Sequence, residues 1–177
     1  MLPIDVPPTM NTYLFETERL LCRRWAADDL PSVYAVYADP VGARWVGDGK
    51  PITYVDARRW MDVTQANYAR RGYGMLALVR KGSAQLVGFA GLVHPNGQAE
   101  AEIKYAFARR HWGQGYASEA VAGLLTYGHE VHGLDRIIAT VAPENAASQR
   151  VLVKSGFVRV DTQVEAQECS WVFEWRA

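Results

Sequence analysis

The apolar residues of this chain recur with two spacings, and each spacing predicts one kind of element. Short apolar runs between glycine, proline and polar turns predict seven strands, over residues 18–25, 74–80, 85–93, 100–107, 135–141, 157–164 and 169–175. Apolar positions three and four residues apart predict four helices, over residues 28–39, 53–71, 116–131 and 145–155. The order β α α β β β α β α β β is typical of an α+β domain in which helices cover a mixed sheet.

The residues between these segments indicate where the elements begin and end. Asp28 and Thr53 are predicted to cap the first two helices, and Gly72 is predicted to end the second in a left-handed conformation. Lys81-Gly82-Ser83 predicts a hairpin turn. Residues 42–51, which include a tryptophan, are predicted to form a loop.

Composition narrows the class of protein. A chain of 177 residues can form one domain with a full core, and we expect a tail over residues 1–14 and a domain over residues 15–177. Equal numbers of basic and acidic residues argue against a nucleic-acid partner, and no apolar run reaches the ~20 residues of a membrane span. Cys22 and Cys169 lack metal-site spacing, and the chain shows no secretory signal. We therefore expect a cytoplasmic protein with free thiols and no metal.

A glycine-containing turn, residues 109–117, lies between the fourth predicted strand and the third predicted helix. Gly113 and Gly115 permit positive φ angles and the close approach of a ligand to the backbone. The first N–H groups of a helix lack internal partners and carry partial positive charge, so an anion is a suitable ligand there. An ordinary glycine turn flanked by two solvated arginines explains the same residues.

A second informative stretch covers residues 143–157. Asn145 is suited to cap the last predicted helix, with Ser148 at the same terminus, and Gly156 is suited to end it. On its own, this stretch favours nothing beyond a capped helix.

Together the two stretches resemble the GNAT N-acetyltransferase superfamily over about residues 15–175. Residues 110–115 match its Arg/Gln-x-x-Gly-x-Gly/Ala acyl-CoA loop, and the Glu-Asn-x-x-Ser…Lys-x-Gly-Phe block follows one strand later, as in the family. Residues 112–120 and the opening Thr17-Glu18-Arg19-Leu20 are similar to the RimJ/RimL-type branch, which acetylates ribosomal-protein N-termini among other amines.

The resemblance implies a single GNAT-like α+β domain, with a mixed, mostly antiparallel seven-stranded sheet and about four flanking helices. Strands four and five would splay around acetyl-CoA, with the pyrophosphate on the loop N–H groups and the pantetheine arm on Asn145. A backbone donor near Ala106 and Phe107 would face the thioester carbonyl. The implied cofactor-binding residues are Ala106, Phe107, Arg110, Trp112, Gly113, Gln114, Gly115, Tyr116, Ala117, Ser118 and Asn145.

The implied reaction is direct attack of an amine on the thioester. At pH 7 only ~0.1% of a lysine-type amine (pKa ~10.4), or ~10% of an α-amine (pKa ~8), is neutral, so a general base helps. Glu102 is the candidate base and Glu100 the second, on the same strand face; two solvated carboxylates are the alternative. Where many relatives carry a proton-donating tyrosine, seven residues after the asparagine, this chain has Leu152, which leaves Ser148 as the hydroxyl near the departing sulfur.

The sequence therefore predicts a cytoplasmic amine acetyltransferase that uses acetyl-CoA and no metal, acting as a monomer or homodimer without nucleic acid or membrane. The acceptor is a small-molecule amine or a protein N-terminus, held by residues 45–54 and the loop 164–168. His111 is expected to be exposed or to complement charge in the loop. The alternative is a non-catalytic acyl-CoA-binding sensor or interaction module, against which Glu102 and Glu100 weigh.

Overall fold

The computed structural model describes residues 13–165 and 168–177, which form one mixed sheet with helices on both faces. The eight strands are β1 (Tyr13–Glu16), β2 (Leu20–Arg24), β3 (Met75–Arg80), β4 (Gln85–Val93), β5 (Ala101–Phe107), β6 (Arg136–Val141), β7 (Val158–Glu165) and β8 (Glu168–Arg176). The five helices are α1 (Leu30–Tyr37), α2 (Pro40–Ala43), α3 (Tyr54–Arg71), α4 (Tyr116–His132) and α5 (Ala146–Lys154).

The strands lie in the order β1-β2-β3-β4-β5-β6-β8-β7, and every neighbouring pair is antiparallel except β5 and β6. The predicted α+β class and mostly antiparallel sheet are confirmed. Residues 13–165 and 168–177 contain eight strands where seven were predicted, and five α-helices where about four were predicted.

Both additional elements are too short to produce a periodic pattern. Strand β1 has four residues at the sheet edge and begins at Tyr13, inside the segment predicted to be a tail; residues 1–12 of that tail lie outside the described residues. Helix α2 is a single turn that overlaps the start of the predicted loop, with Pro40 in its first turn and Asp39 accepting from the Val41 N–H at 3.0 Å.

Side-chain caps explain the bounds of the long helix α3. Thr53 accepts from the Asp56 N–H at 3.1 Å while the Asp56 carboxylate accepts from the Thr53 N–H at 3.0 Å. Gly72 ends the helix at φ 81°, as predicted. The predicted cap Asp28 is wrong: a 3₁₀ turn intervenes, and Asp29 occupies the N-cap position of α1 while pairing with a neighbouring arginine.

The sheet separates two apolar cores. Helices α4 and α5 cover one face and bury residues such as Leu92, Ile103, Val121, Leu124 and Leu152. Helices α1 and α3 cover the other face, where the core includes Trp25, Val33, Tyr37, Met61 and Phe89. Each fully buried side chain of this size contributes about 1.5–3 kcal/mol relative to an exposed one, so the two cores fix the positions of the strands between them.

Strands β5 and β6 part beyond their first residues. Their parallel ladder joins only Ala101 with Ile137 and Glu102 with Ile138. Strand β5 continues against β4 as far as Phe107, while β6 continues against β8. The predicted splay of these two strands is therefore present, and the elements that follow them, α4 and α5, flank the gap.

Candidate active site

A cavity of about 440 Å³ lies where β5 and β6 part. Its size is in the range of small-molecule sites. The lining comes from three regions. The first is the end of β5 with the loop and first turn of α4, the second is α5 from its cap Asn145 to Lys154, and the third is an apolar end formed by α1, α2 and the residues after them. We call the four residues Val36, Tyr37, Trp45 and Val46 the apolar end.

The glycine loop (residues 109–115) presents backbone to this cavity. Gly113 and Gly115 have φ angles of 71° and 81°, which residues with a Cβ rarely adopt. No described heavy atom lies within 4 Å of the position that a Cβ would take at Gly113. The first helical bond of α4 runs from Glu119 N to Gly115 O at 3.2 Å, so the N–H groups of residues 116–118 precede it and suit an anion.

Nine of the eleven predicted cofactor-binding residues line the cavity. Arg110 and Gln114 do not: both are exposed, and the Gln114 Nε2 donates to the Arg110 carbonyl at 2.9 Å. The residues that line it are Ala106, Phe107, Trp112, Gly113, Gly115, Tyr116, Ala117, Ser118 and Asn145.

Trp112 joins the loop to its surroundings. Its indole Nε1 donates to the Phe107 carbonyl at 2.7 Å, which ties the loop to the end of β5. A Cβ at Gly42 would lie 3.7 Å from the Trp112 ring, so the same side chain reaches α2. Trp112 therefore connects the glycine loop with the end of β5 and with α2.

The start of α5 supplies two polar residues. Asn145 caps the helix, because its Oδ1 accepts from the Ser148 N–H at 3.2 Å, as the capping interpretation predicts. This bond leaves the Asn145 amide nitrogen as the group that can donate to a ligand in the cavity. The cap uses the Ser148 backbone, so the Ser148 hydroxyl is not needed for it.

Tyr105 is a lining residue that the sequence did not single out. Its hydroxyl donates to the Ser148 carbonyl oxygen at 3.5 Å. Burial raises the pKa of Tyr105 to about 12, with the contact to Ser148 acting in the opposite direction. The phenol therefore stays protonated at neutral pH. The alternation of side chains along β5 could have identified Tyr105 from the sequence, because it puts this residue on the same face as Ile103 and Phe107.

Glu102 lies outside the cavity lining, in the angle where β5 and β6 part. It is 2% exposed, which contradicts the solvated alternative. Its Oε1 accepts from the Thr140 N–H at 3.2 Å, and also from the Thr140 hydroxyl and the Lys104 ammonium; its Oε2 accepts from the Gln98 amide at 3.2 Å. Both carboxylate oxygens are thus engaged by neighbouring side chains and backbone.

Glu100, the second candidate base, forms an ion pair with Arg136 at 2.7 Å. A bond from its own backbone N–H, followed by the bond from Arg136, holds the pKa of Glu100 below its ordinary value. Glu100 is therefore charged at neutral pH and bound to a partner at the sheet surface.

His111 differs from its predicted exposed position. It is 7% exposed and lines the cavity, with its ring against Tyr116 at a centroid distance of 6.1 Å. Burial, followed by the charges of Arg110 and Arg80, lowers the pKa of His111 below its ordinary value. The imidazole is therefore neutral at pH 7 and does not add positive charge to the loop.

Two basic residues of α5, Arg150 and Lys154, also line the cavity. They are four residues apart and so share a helix face, a spacing that sequence inspection could have found. Of the predicted acceptor segments, Trp45 lines the cavity, whereas Tyr54 packs on Tyr34 at 5.4 Å. Residues 166–167 of the second segment lie outside the described residues.

Within residues 13–165 and 168–177, no helix is long and apolar enough to span a membrane. The same part of the chain contains no cluster of three or more His, Cys, Asp or Glu side chains that could hold a metal ion.

Comparison with known proteins agrees with this fold. A family model described as an acetyltransferase (GNAT) domain matches residues 19–158. The uncharacterized N-acetyltransferase YoaA of Bacillus subtilis is 30% identical over 146 residues, which cover 81% of this chain and 82% of that protein. The uncharacterized N-acetyltransferase p20 of Bacillus licheniformis is 33% identical over 149 residues, 80% of each chain.

Solved structures share the whole fold. A GNAT-family acetyltransferase from Bacillus anthracis superposes with a TM-score of 0.78 at 28% identity, covering 91% of this chain and 96% of that one. Two more distant structures share the fold alone. The first is RimL, a ribosomal L7/L12 α-N-protein acetyltransferase in complex with CoA, which superposes with a TM-score of 0.79 at 15% identity and covers 93% of this chain and 98% of that one. The second is a Vibrio cholerae spermidine N-acetyltransferase with CoA and spermine, with a TM-score of 0.76 at 18% identity, covering 89% of this chain and 95% of that one.

The fold, the site and these similarities define an acetyl-CoA-dependent N-acetyltransferase. The chain belongs to the GNAT acetyltransferase family.

Proposed function

We propose that the cavity binds acetyl-CoA between α4 and α5 and that a primary amine enters from the apolar end to take the acetyl group. The observation that supports this most is that one cavity joins the glycine loop, the capped start of α5, the basic pair Arg150 and Lys154, and an apolar end. The site thus has separate regions for an anionic ligand and for an acceptor.

The lining residues fit the parts of acetyl-CoA. The pyrophosphate would bind the N–H groups of residues 116–118 at the positive end of the α4 dipole, where Gly113 and Gly115 allow close approach. The side chains of Arg150 and Lys154 supply charge for its phosphates. The Asn145 amide nitrogen would donate to the pantetheine arm. RimL and the spermidine acetyltransferase were both solved with CoA, which supports the assignment.

In the proposed reaction the neutral amine attacks the thioester carbon and a C–N bond forms. Negative charge on the carbonyl oxygen would be stabilised by a backbone N–H near Ala106 and Phe107, where β5 has left its ladder with β6. The C–S bond then breaks, its electron pair goes to sulfur, and the sulfur takes up a proton. The amine nitrogen loses one proton to solvent or to a base.

Two hydroxyl groups are placed to assist the departing sulfur. We assign the proton donor to Tyr105, whose protonated phenol contacts the Ser148 main chain inside the cavity. Ser148 would donate a hydrogen bond from the first turn of α5. Tyr105 thereby takes the part that the tyrosine seven residues after the asparagine plays in many relatives and that Leu152 cannot play.

The role of Glu102 as general base stays a prediction. Its contacts favour a structural role, because the carboxylate lies outside the cavity lining and accepts from Thr140, Lys104 and Gln98. A buried carboxylate with this set of donors links β5 to β6 just beyond the end of their short ladder. Water is then the group that takes the proton from the amine.

For the acceptor, we propose an amine that carries an apolar or aromatic group. Such a group would fit against Val36, Tyr37 and Trp45 of the apolar end. The guanidinium of Arg44 stacks on the Trp45 ring at 4.3 Å, so positive charge stands beside this end and disfavours polyamines. Peptide N-termini with an apolar first residue meet this description. Such an acceptor would also agree with our proposal that the chain belongs to the RimJ/RimL-type branch.

The test is an acceptor screen with acetyl-CoA that follows release of free thiol. Its arms are peptides with apolar or acidic N-terminal residues, aromatic amines, polyamines, amino acids and aminoglycosides. We expect turnover with apolar acceptors to exceed turnover with polyamines. Faster turnover of polyamines would contradict the acceptor assignment. Binding of CoA with no turnover in any arm would favour the non-catalytic sensor.

A further inference from the structure

We propose that Thr17, Arg19 and Glu119, together called the Arg19 clasp, position the glycine loop for binding the pyrophosphate. This inference rests on the proposed binding of acetyl-CoA to that loop. It gives a role to Thr17-Glu18-Arg19-Leu20, a segment far from the loop in sequence, whose residues do not line the cavity.

Glu119, in the first turn of α4, receives three bonds from the turn between β1 and β2. The Thr17 hydroxyl and the Arg19 N–H donate to its Oε1 at 2.5 and 2.6 Å, and the Arg19 Nε donates to its Oε2 at 2.7 Å. Burial acts to raise the pKa of Glu119, but the bonds from Thr17 and Arg19 outweigh it and hold that pKa below its ordinary value. The carboxylate is therefore charged and fully engaged at neutral pH.

The Arg19 guanidinium contacts the loop itself. Its Nη1 donates to the Gln114 carbonyl oxygen at 2.9 Å, and its plane stacks on the Tyr116 ring at 4.5 Å. Its Nη2 lies 3.3 Å from the position that a Cβ would take at Gly115. One side chain thus borders three successive residues, 114–116, without lining the cavity itself.

The clasp is itself held on a rigid support. The Arg19 carbonyl accepts from the Lys81 N–H at 2.9 Å, which fixes it to the end of β3. A Cβ at Gly123 would meet Phe15 and Thr17 at 2.8 Å, so the glycine allows the β1–β2 turn to pack directly on α4. Arg19 therefore links the glycine loop to the edge of the sheet.

The flexibility of the glycine loop is the physical reason why a positioning residue would favour ligand binding. Two glycines in three residues can adopt many conformations, and ordering such a segment when a ligand binds costs affinity. A guanidinium suits this position because its planar fork can bond a carboxylate and a carbonyl at the same time as it stacks on an aromatic ring. Arg19 is a positioning residue, because it acts through the loop rather than on the ligand.

The test compares Arg19→Ala with Arg24→Ala. Arg24 is a matched control on β2: it stacks on Tyr68 at 4.8 Å and donates to the Gly72 carbonyl at 3.3 Å, remote from the loop. We expect Arg19→Ala to raise KM for acetyl-CoA and the calorimetric Kd for CoA about tenfold through lost pre-organisation. Its kcat at saturation should stay within about twofold, since such a change affects ground and transition states equally. Arg24→Ala should change neither constant.

Hydrogen exchange separates positioning from general destabilisation. In Arg19→Ala without ligand, amides of residues 110–118 should exchange faster while those of β3 and β4 keep their protection, and CoA should restore the slow exchange. Thr17→Val should have the same effect in smaller degree, whereas Thr17→Ser, which keeps the hydroxyl, should resemble the wild type. If Arg19→Ala does not fold, Arg19→Lys and Thr17→Val provide the same comparison.

A folded Arg19→Ala or Thr17→Val variant with wild-type KM, Kd and loop exchange would overturn the positioning role. That result is distinct from failure of the proposed function, in which the wild-type protein itself would bind no CoA.

Discussion

The Tyr105 phenol lies in the cavity beside Ser148, and we expect it to donate the proton that the departing sulfur takes up. Tyr105→Phe should lower kcat roughly ten- to hundredfold, the value of a hydrogen bond to a charged group. Because burial raises the pKa of Tyr105 to about 12, the phenol should stay protonated through pH 10. The pH–rate profile should therefore show no alkaline decline from this group below pH 10. A Phe variant with wild-type kcat would remove Tyr105 from the reaction.

Ser148→Ala separates a catalytic hydroxyl from a structural one. The α5 cap uses the Ser148 N–H and the Asn145 side-chain Oδ1, so the Ser148→Ala variant should keep the melting temperature of the wild type. If the hydroxyl bonds the sulfur, kcat should fall about tenfold or more. Asn145→Ala is the matched variant for the cap and should cost about 0.5–2 kcal/mol of unfolding free energy. Unchanged kcat in Ser148→Ala would leave Tyr105 as the only hydroxyl assigned to the sulfur.

Glu102 is tested by two variants that separate accepting a hydrogen bond from accepting a proton. Glu102→Gln keeps an acceptor oxygen for Thr140, so we expect kcat/KM within a few-fold of wild type and an intact acidic limb. Glu102→Ala leaves the half-buried Thr140 N–H and hydroxyl without this partner and should cost about 1–3 kcal/mol of unfolding free energy. A loss of about 10²–10⁴-fold in Glu102→Gln, with a changed acidic limb, would instead establish the general base.

The residues around the cavity also show how much of the site the sequence could predict. The cap at Asn145 and the glycine positions at 113 and 115 were predicted correctly, because local backbone chemistry determines them. The burial of His111 and the position of Tyr105 were not, because they depend on which helix packs over β5. Side-chain alternation fixes which residues share a face but not what that face contacts.

At the scale of elements, the proposed binding of acetyl-CoA depends most on the conformation of the glycine loop. Gly113→Val should cost about 1–2 kcal/mol through its positive φ and meet no steric neighbour, since nothing described lies near its Cβ position. The valine side chain should nevertheless obstruct the approach of the pyrophosphate to the backbone. We expect KM for acetyl-CoA to rise far more than the loss of stability explains. A folded variant with unchanged KM would contradict the phosphate-binding role of the loop.

The sequence predicted the longer helices and strands, but it did not predict the two elements that have only four residues. Strand β4 has the bounds predicted for it, and α3 lies between its predicted caps Thr53 and Gly72, because each contains enough residues to show a period and a stop. Strand β1 and helix α2 have four residues each, and their existence depends on packing against β2 and α1.

At the scale of the whole molecule, the sheet brings three distant segments of the chain to one cavity. The parting of β5 and β6 opens the space, α4 and α5 provide positive helix termini on either side, and α1 and α2 close the far end. This arrangement could be predicted because the order of elements and the two motifs resemble those of a known family. The acceptor end was less predictable, since its residues come from irregular segments without a sequence motif.

The most direct test of the central claim is calorimetric titration of CoA into the protein, with the melting temperature followed in parallel. We expect one CoA per chain. At a free concentration a hundredfold above Kd, about 2.7 kcal/mol of added stability should raise the melting temperature by roughly 5–10 °C. Gly113→Val should show a much smaller shift at the same concentration. Absence of both binding heat and thermal shift at millimolar CoA would contradict the assignment of this cavity to acetyl-CoA.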